Sequence, residues 1–106
     1  MNYLKFGQAI EELKDGKCLT RSVWVGTDKK FIFKQVTAQI TSEIVPKMQS
    51  LPDHAKKLFG ATFENKNEQI DAIYYSNQIA IVGLSNTIDS YSATAQDIFA
   101  EDWYVV

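Results

Sequence analysis

Between Phe6 and Lys14 the apolar residues fall at Phe6, Ala9, Ile10 and Leu13, while Gln8, Glu11, Glu12 and Lys14 fill the other positions. Spacing of i, i+3, i+4, i+7 predicts an amphipathic helix with one face to bury. Gly16 supplies a left-handed stop, and Lys14 and Lys17 sit where the helix dipole favours cations. The pattern then changes. Cys18 to Val25 reads as a strand, Gly26-Thr27-Asp28-Lys29-Lys30 as a polar turn, and Phe31 to Ile40 as a second strand, so the two predict a β-hairpin. Phe31 and Phe33 face one way on that strand, and Ile32, Val36, Ala38 and Ile40 the other, which predicts a sheet covered on both faces.

Pro46 and Pro52 interrupt the alternation. Ser50-Leu51-Pro52-Asp53 precedes His54-Ala55-Lys56-Lys57-Leu58-Phe59, a short helix expected to end at Gly60. Residues 64 to 69 read as a polar loop. Ile73 to Gly83 reads as a strand whose run Ile79-Ala80-Ile81-Val82 suits burial on both faces, and a turn at 83 to 86 leads to Thr87–Tyr91 as its hairpin partner. Ser92 or Thr94 caps a short helix through Phe99 and Ala100, and Trp103 to Val106 closes the chain as a strand. The expected fold is α+β: an N-terminal amphipathic helix packed on an antiparallel sheet of four to five strands, with two short helices. At 106 residues a single domain over residues 1–106 is expected, with one hydrophobic core.

Composition narrows the chemistry. Eleven basic residues against thirteen acidic ones argue against a polynucleotide as partner, because neutralising many phosphates takes a basic excess. The charge is nevertheless unevenly distributed. Every base lies at or before Lys66, and the last forty residues carry six acids and no base. Between residues 14 and 34, six bases face two acids, a patch suited to a phosphate or to an acidic neighbouring subunit. Arg21, the one arginine, has a donor fork fitted to bidentate phosphate or carboxylate contact.

One cysteine and one histidine leave no disulfide framework and no zinc-ligand set, so neither a metal nor another cofactor is expected. The start, MNYLKFGQAIEELK, is acidic and amphipathic where a secretion signal would be apolar, and no apolar run approaches the roughly 20 residues of a membrane span. The expected compartment is the cytoplasm. Glycine-rich phosphate loops and nucleophile-elbow patterns are missing, and Cys18 with His54 lacks a third group to orient the imidazole, so catalysis is not expected. What the sequence offers is recognition. Trp24, Phe31, Phe33, Tyr74, Tyr75, Tyr91 and Trp103 are planar groups set among hydroxyls and carboxylates, the materials of base stacking and ribose contact, and equally of a core or an interface.

Two stretches also resemble a known family. FGQAIEELKDGKCLTRSVW near the start and SATAQDIFAEDWYVV at the end resemble, in order, the two signatures of a small bacterial and phage domain that includes the Thoeris anti-defence proteins of the second type. VPKMQSLP and YYSNQIAIV are similar to its middle elements. Val25-Gly26-Thr27 stands where an Asn-Gly step is common, and residues 42 to 69 are longer than in the smallest members. The resemblance implies a non-catalytic sponge that sequesters a cyclic ADP-ribose isomer, or in some relatives a cyclic oligonucleotide, with dimers or tetramers and ligand sites at subunit contacts. In a phage-encoded member this would act in the host cytoplasm.

By position, the implied site residues are Arg21 and Trp24 in the first signature and Ser92, Thr94, Asp97 and Asp102 in the second, with Phe31 and Tyr91 as further planar candidates. Each has a second reading. Trp24 is a stacking wall or a core residue, and Arg21 pairs with phosphate or with Asp97 or Glu101. Ser92 and Thr94 cap a helix or border a phosphate at its start. Asp102 accepts ribose hydroxyls or caps the last turn. Trp103 reads as core. Beside the sponge stand two other expectations: a homo-oligomeric interaction module without a nucleotide, and a small hydrolase.

Overall fold

A computed structural model describes residues 2–106. The chain forms two compact units, one of residues 1–36 with 77–106 and one of residues 37–76.

In the first unit, helix α1 (Phe6–Lys14) begins where the Gln8 side chain accepts from the Lys5 backbone N–H at 2.9 Å, and it stops at Gly16, whose φ of 86° a side chain would resist. Ala9 and Leu13 are buried on its inner face. Strands β1 (Leu19–Arg21) and β2 (Lys29–Gln35) come next in this unit, and after the excursion through the second unit the chain returns as β5 (Gln78–Gly83), β6 (Ile88–Ser90), helix α3 (Ala95–Phe99) and β7 (Trp103–Val105). The five strands form one antiparallel sheet in the order β6-β5-β2-β1-β7. Leu4 bridges to Trp103 and adds the entering segment beside β7.

The core of this unit is Ala9, Leu13, Leu19, Trp24, Ile32 and Trp103. Leu19 stands opposite Ile32, and Ile32 opposite Ile81, so one sheet face carries these residues toward the core. The run Ile79-Ala80-Ile81-Val82 serves both faces as expected: Ile79 and Ile81 pack on the core cluster, while Ala80 and Val82 are buried opposite Phe33 and Phe31. Trp103 is fully buried, with the Phe6 ring centroid at 5.6 Å and that of Trp24 at 5.2 Å, edge to face. Such pairs add to the burial of the rings themselves.

The second unit holds strand β3 (Ala38–Thr41), a 3-10 turn at Val45–Lys47, helix α2 (Asp53–Glu64) and strand β4 (Ala72–Tyr75), with β3 and β4 paired antiparallel from Ala38↔Tyr75 to Thr41↔Ala72. Val45, Ala72 and Ile73 are its buried apolar residues, and no residue of α2 is buried.

The α+β class, the N-terminal helix and the five-stranded sheet agree with the sequence pattern, and several boundaries differ. The single strand expected over 31–40 is two, β2 and β3, in different sheets; Val36, read as inward, is 81% exposed at the break. Likewise 73–83 divides into β4 and β5 at the polar pair Ser76-Asn77. The first strand ends at Arg21, and Ser22–Trp24 is a 3-10 turn that buries Trp24. Helix α2 passes through Gly60 to Glu64, making it longer than α1, because a glycine with helical φ weakens a helix without ending it.

Candidate functional site

Arg21 ends β1, and the Ser22–Trp24 turn follows it. From there the guanidinium reaches two carboxylates of the closing segment: Nη1 donates to Asp97 Oδ1 at 2.8 Å and Nε to Asp102 Oδ1 at 2.9 Å. Asp102 is held further by the Ser22 hydroxyl at 2.8 Å and the Val23 amide at 3.3 Å, both donating to Oδ2. Asp97 is the more buried hub. Tyr91 OH donates to its Oδ2 at 2.9 Å, its own amide donates to Thr94 Oγ1 at 3.1 Å, and its carbonyl accepts from Trp103 Nε1 at 2.9 Å. Of the two sequence readings of Arg21, the structure contains the carboxylate pair, with Asp97 and Asp102 as partners and Glu101 outside it.

The three charges sum to minus one, and burial makes each partner matter. Desolvation alone would raise the pKa of Asp97, but the hydrogen bonds from Tyr91 and Arg21 outweigh it and hold the carboxyl below its ordinary range. Asp102 behaves the same way: desolvation is offset by Arg21, Ser22 and the Val23 amide, and its pKa is lowered. Tyr91 shifts upward, first because it is buried and then because its proton is bound to a carboxylate. At neutral pH the cluster is therefore a guanidinium, two carboxylates and a neutral phenol.

This cluster supports Trp24 from behind. Tyr91 meets Trp24 edge on at 6.3 Å, Trp103 meets it at 5.2 Å, and Lys29 Nζ lies 5.5 Å from its ring centroid. The loop beyond is closed by its own bonds. Gly26 takes φ 82°, Thr27 donates to the Trp24 carbonyl through its amide at 3.0 Å and its hydroxyl at 2.6 Å, and Thr27 Oγ1 accepts from the Lys29 amide at 3.2 Å.

Two concavities border this loop. One of about 350 Å³ is lined by Arg21, Trp24, Thr27, Lys29, Thr94 and Asp97 among others. The second, of about 410 Å³, is lined by Thr20, Trp24, Gly26, Lys29, Lys30 and Tyr104 with their neighbours. Trp24, Thr27 and Lys29 belong to both. Each volume lies near the lower end of the 300–1,000 Å³ common for small-molecule pockets.

Of the residues singled out from sequence, Arg21, Trp24, Thr94 and Asp97 meet at the first concavity, with Tyr91 and Asp102 bonded to them from behind. Phe31 stands on the sheet beside Phe33, ring centroids 6.5 Å apart, and lines neither concavity. Ser92 is exposed, and Thr94 is the residue that caps α3. Thr27, Lys29 and Lys30 were missed. They read as a solvated hairpin turn, and their one signal was membership of the basic stretch between residues 14 and 34. Among the described residues no cluster of histidine, cysteine or carboxylate side chains is arranged to hold a metal ion, and no helix is long and apolar enough to cross a membrane.

Fold and site together define a small α+β protein in which one half-buried arginine ties the first and last signatures into a brace behind a tryptophan-lined recess. The Thoeris anti-defense 2-like domain profile matches residues 4–106, spanning both compact units, and the chain belongs to that family. It is similar to a protein of Bacillus phage SP01 named Thoeris anti-defense 2, at 29% identity over 97% of this chain and 94% of the relative. Membership supports a phage anti-defence role.

Proposed function

We propose that the protein binds and sequesters, without cleaving, a cyclic ADP-ribose-derived signalling nucleotide, and so prevents activation of a Thoeris effector. The observation that carries this reading is the position of Trp24: a planar ring that lines two concavities of about 350 and 410 Å³, with a cation over it and an ion-pair brace behind it. The family supplies the context in which such a ligand has a purpose. In this reading Trp24 stacks on the base, Thr94 and the edge of the Arg21–Asp97 pair border the ribose, and Asp102 and Tyr91 hold those groups in place. Ser92 and Phe31 line neither concavity and have no part in this reading.

A single stack is worth about 1–3 kcal/mol, and nanomolar retention needs about 12 kcal/mol. One open recess therefore falls short, and a second subunit completes the site. We assign a homodimer or homotetramer, consistent with the basic stretch around Arg21 and the acid-only final forty residues. Sequestration also suits the chemistry of the recess, because both aspartates there are committed to Arg21 and held in their charged form.

Incubation with cyclic ADP-ribose isomers, removal of free ligand and heat denaturation tests the reading. Intact ligand is expected in the released fraction, with a raised melting temperature before denaturation. Retention of none of the isomers would overturn it. Retention of cyclic di- or trinucleotides instead would redirect it to those signals, and ligand-derived products would indicate a hydrolase.

A further inference from the structure

We infer that Lys29 and Lys30 form a diphosphate subsite beside Trp24, and that Lys29 caps the Trp24 ring until a ligand takes its place. This rests on the nucleotide reading above and names the part of the site that reads the phosphates. Arg21, the residue best suited by type to a phosphate, already donates through Nε and Nη1 to two carboxylates, and the three groups together are negative. A phosphate arriving at that trio meets net repulsion. The cations that line the recess without a carboxylate partner among the described residues are Lys29 and Lys30.

Lys30 has fixed surroundings. Lys30 Nζ donates to Asn86 Oδ1 at 3.1 Å, and Asn86 with Ser85 holds φ of 59° and 67°, left-handed values that non-glycine residues adopt only under constraint. That turn is tied to the lysine loop by the Leu84 amide donating to the Asp28 carbonyl at 3.0 Å, and Gly83 fits there because an added Cβ would stand 3.3 Å from the same oxygen. A lysine bound to a neutral amide keeps its charge for a better acceptor, and phosphate oxygens are such acceptors.

Lys29 has the second role. Trp24 is only 4% exposed, yet a base must reach one of its faces to stack. Trp103 and Tyr91 meet the ring at steep angles, and over it, 5.5 Å from its centroid, lies the Nζ of the exposed residue Lys29. Lys29 also lines both concavities. A swing of this exposed side chain opens the ring and delivers the same ammonium to a phosphate, so capping and recognition become alternative states of one residue.

The test uses the full chain, its Lys29→Gln/Lys30→Gln variant and the Lys29→Arg/Lys30→Arg variant. Inorganic diphosphate is the probe, read by melting-temperature shift and by titration at two salt concentrations. The native chain is expected to bind it, the glutamine pair to lose about tenfold or more with an unchanged ligand-free melting temperature, and the arginine pair to restore binding. Collisional quenching of tryptophan by acrylamide is expected to rise in Lys29→Gln, since Trp103 is fully buried and Trp24 supplies the change. A native chain that does not bind diphosphate, or a glutamine pair that binds it equally well, overturns the subsite; unchanged quenching overturns the cap. Diphosphate binding with no retained cyclic ADP-ribose isomer would leave the subsite standing and remove the sequestration reading.

Discussion

The two compact units of this chain are held together by different means. The first has a continuous core under a five-stranded sheet, with Ala9, Leu19, Ile32 and Trp103 fully buried, and an ion-pair cluster that joins residue 21 to residues 97 and 102. The second has a two-stranded ladder, one helix without a buried residue, and Val45, Ala72 and Ile73 as its buried apolar side chains. Leu58 and Tyr74 there are 61% and 67% exposed. A lone two-stranded ladder is marginal by itself, so local opening should begin in the second unit and the braced recess should open last. The lesson is that the proposed site lies where long-range polar contacts reinforce packing.

The sharpest way to break this contrast is to remove the hub. Asp97→Ala deletes the acceptor of both Arg21 and Tyr91 and leaves a guanidinium with 14% side-chain exposure short of one partner. Truncating one member of a buried pair typically costs about 3–5 kcal/mol, and that loss is expected in chemical denaturation. In the second unit Val45→Ala removes about two methylene equivalents, near 2 kcal/mol with its cavity. Equal losses in the two variants would mean that the brace adds nothing to packing and would erase the distinction.

Much of the first unit was legible because its signals are local. The stripe of Phe6, Ala9, Ile10 and Leu13 and the double-faced run at Ile79–Val82 follow from residue spacing, and residue type narrowed the cap of the last helix to Ser92 or Thr94, of which the structure uses Thr94. The division of 31–40 and 73–83 was not, because alternation of apolar residues continues through Val36 while the sheet does not. At the site, residue type pointed to Arg21 and the family resemblance to Asp97 and Asp102, and sequence left open whether the arginine serves a ligand or a carboxylate. Separations of 76 and 81 residues carry no local signal of pairing. Lys29 stood out no further than its basic patch for the opposite reason: a lysine in a polar turn is ordinarily solvated, and the ring beneath it makes this one different.

Acid should weaken the same unit more gently than truncation does. Asp97 and Asp102 both have native pKa values below their ordinary range. Their contribution is therefore complete above the unfolded carboxylate range, about pH 4, and is lost as pH falls through the lowered native values. Tyr91 shifts the other way, so its contribution holds below about pH 10 and declines as pH rises beyond it. Stability measured from pH 2 to 11 should form a plateau with both edges, and Asp97→Asn should flatten the acid edge. An acid edge of the same steepness in that variant would place the titrating groups elsewhere.

The smallest effect separates the brace from the helix it borrows. Thr94 accepts from the Asp97 amide and so starts α3, a five-residue helix with little strength of its own. Thr94→Ala is expected to cost about 1 kcal/mol, the usual worth of an N-cap. If α3 serves chiefly to present Asp97 to Arg21, the loss should shrink in an Asp97→Ala background, because the cap then orients nothing that Arg21 can use. A double-mutant cycle reads this directly. Coupling between the two positions would tie the cap to the brace, and strict additivity would show that helix start and ion pair are independent.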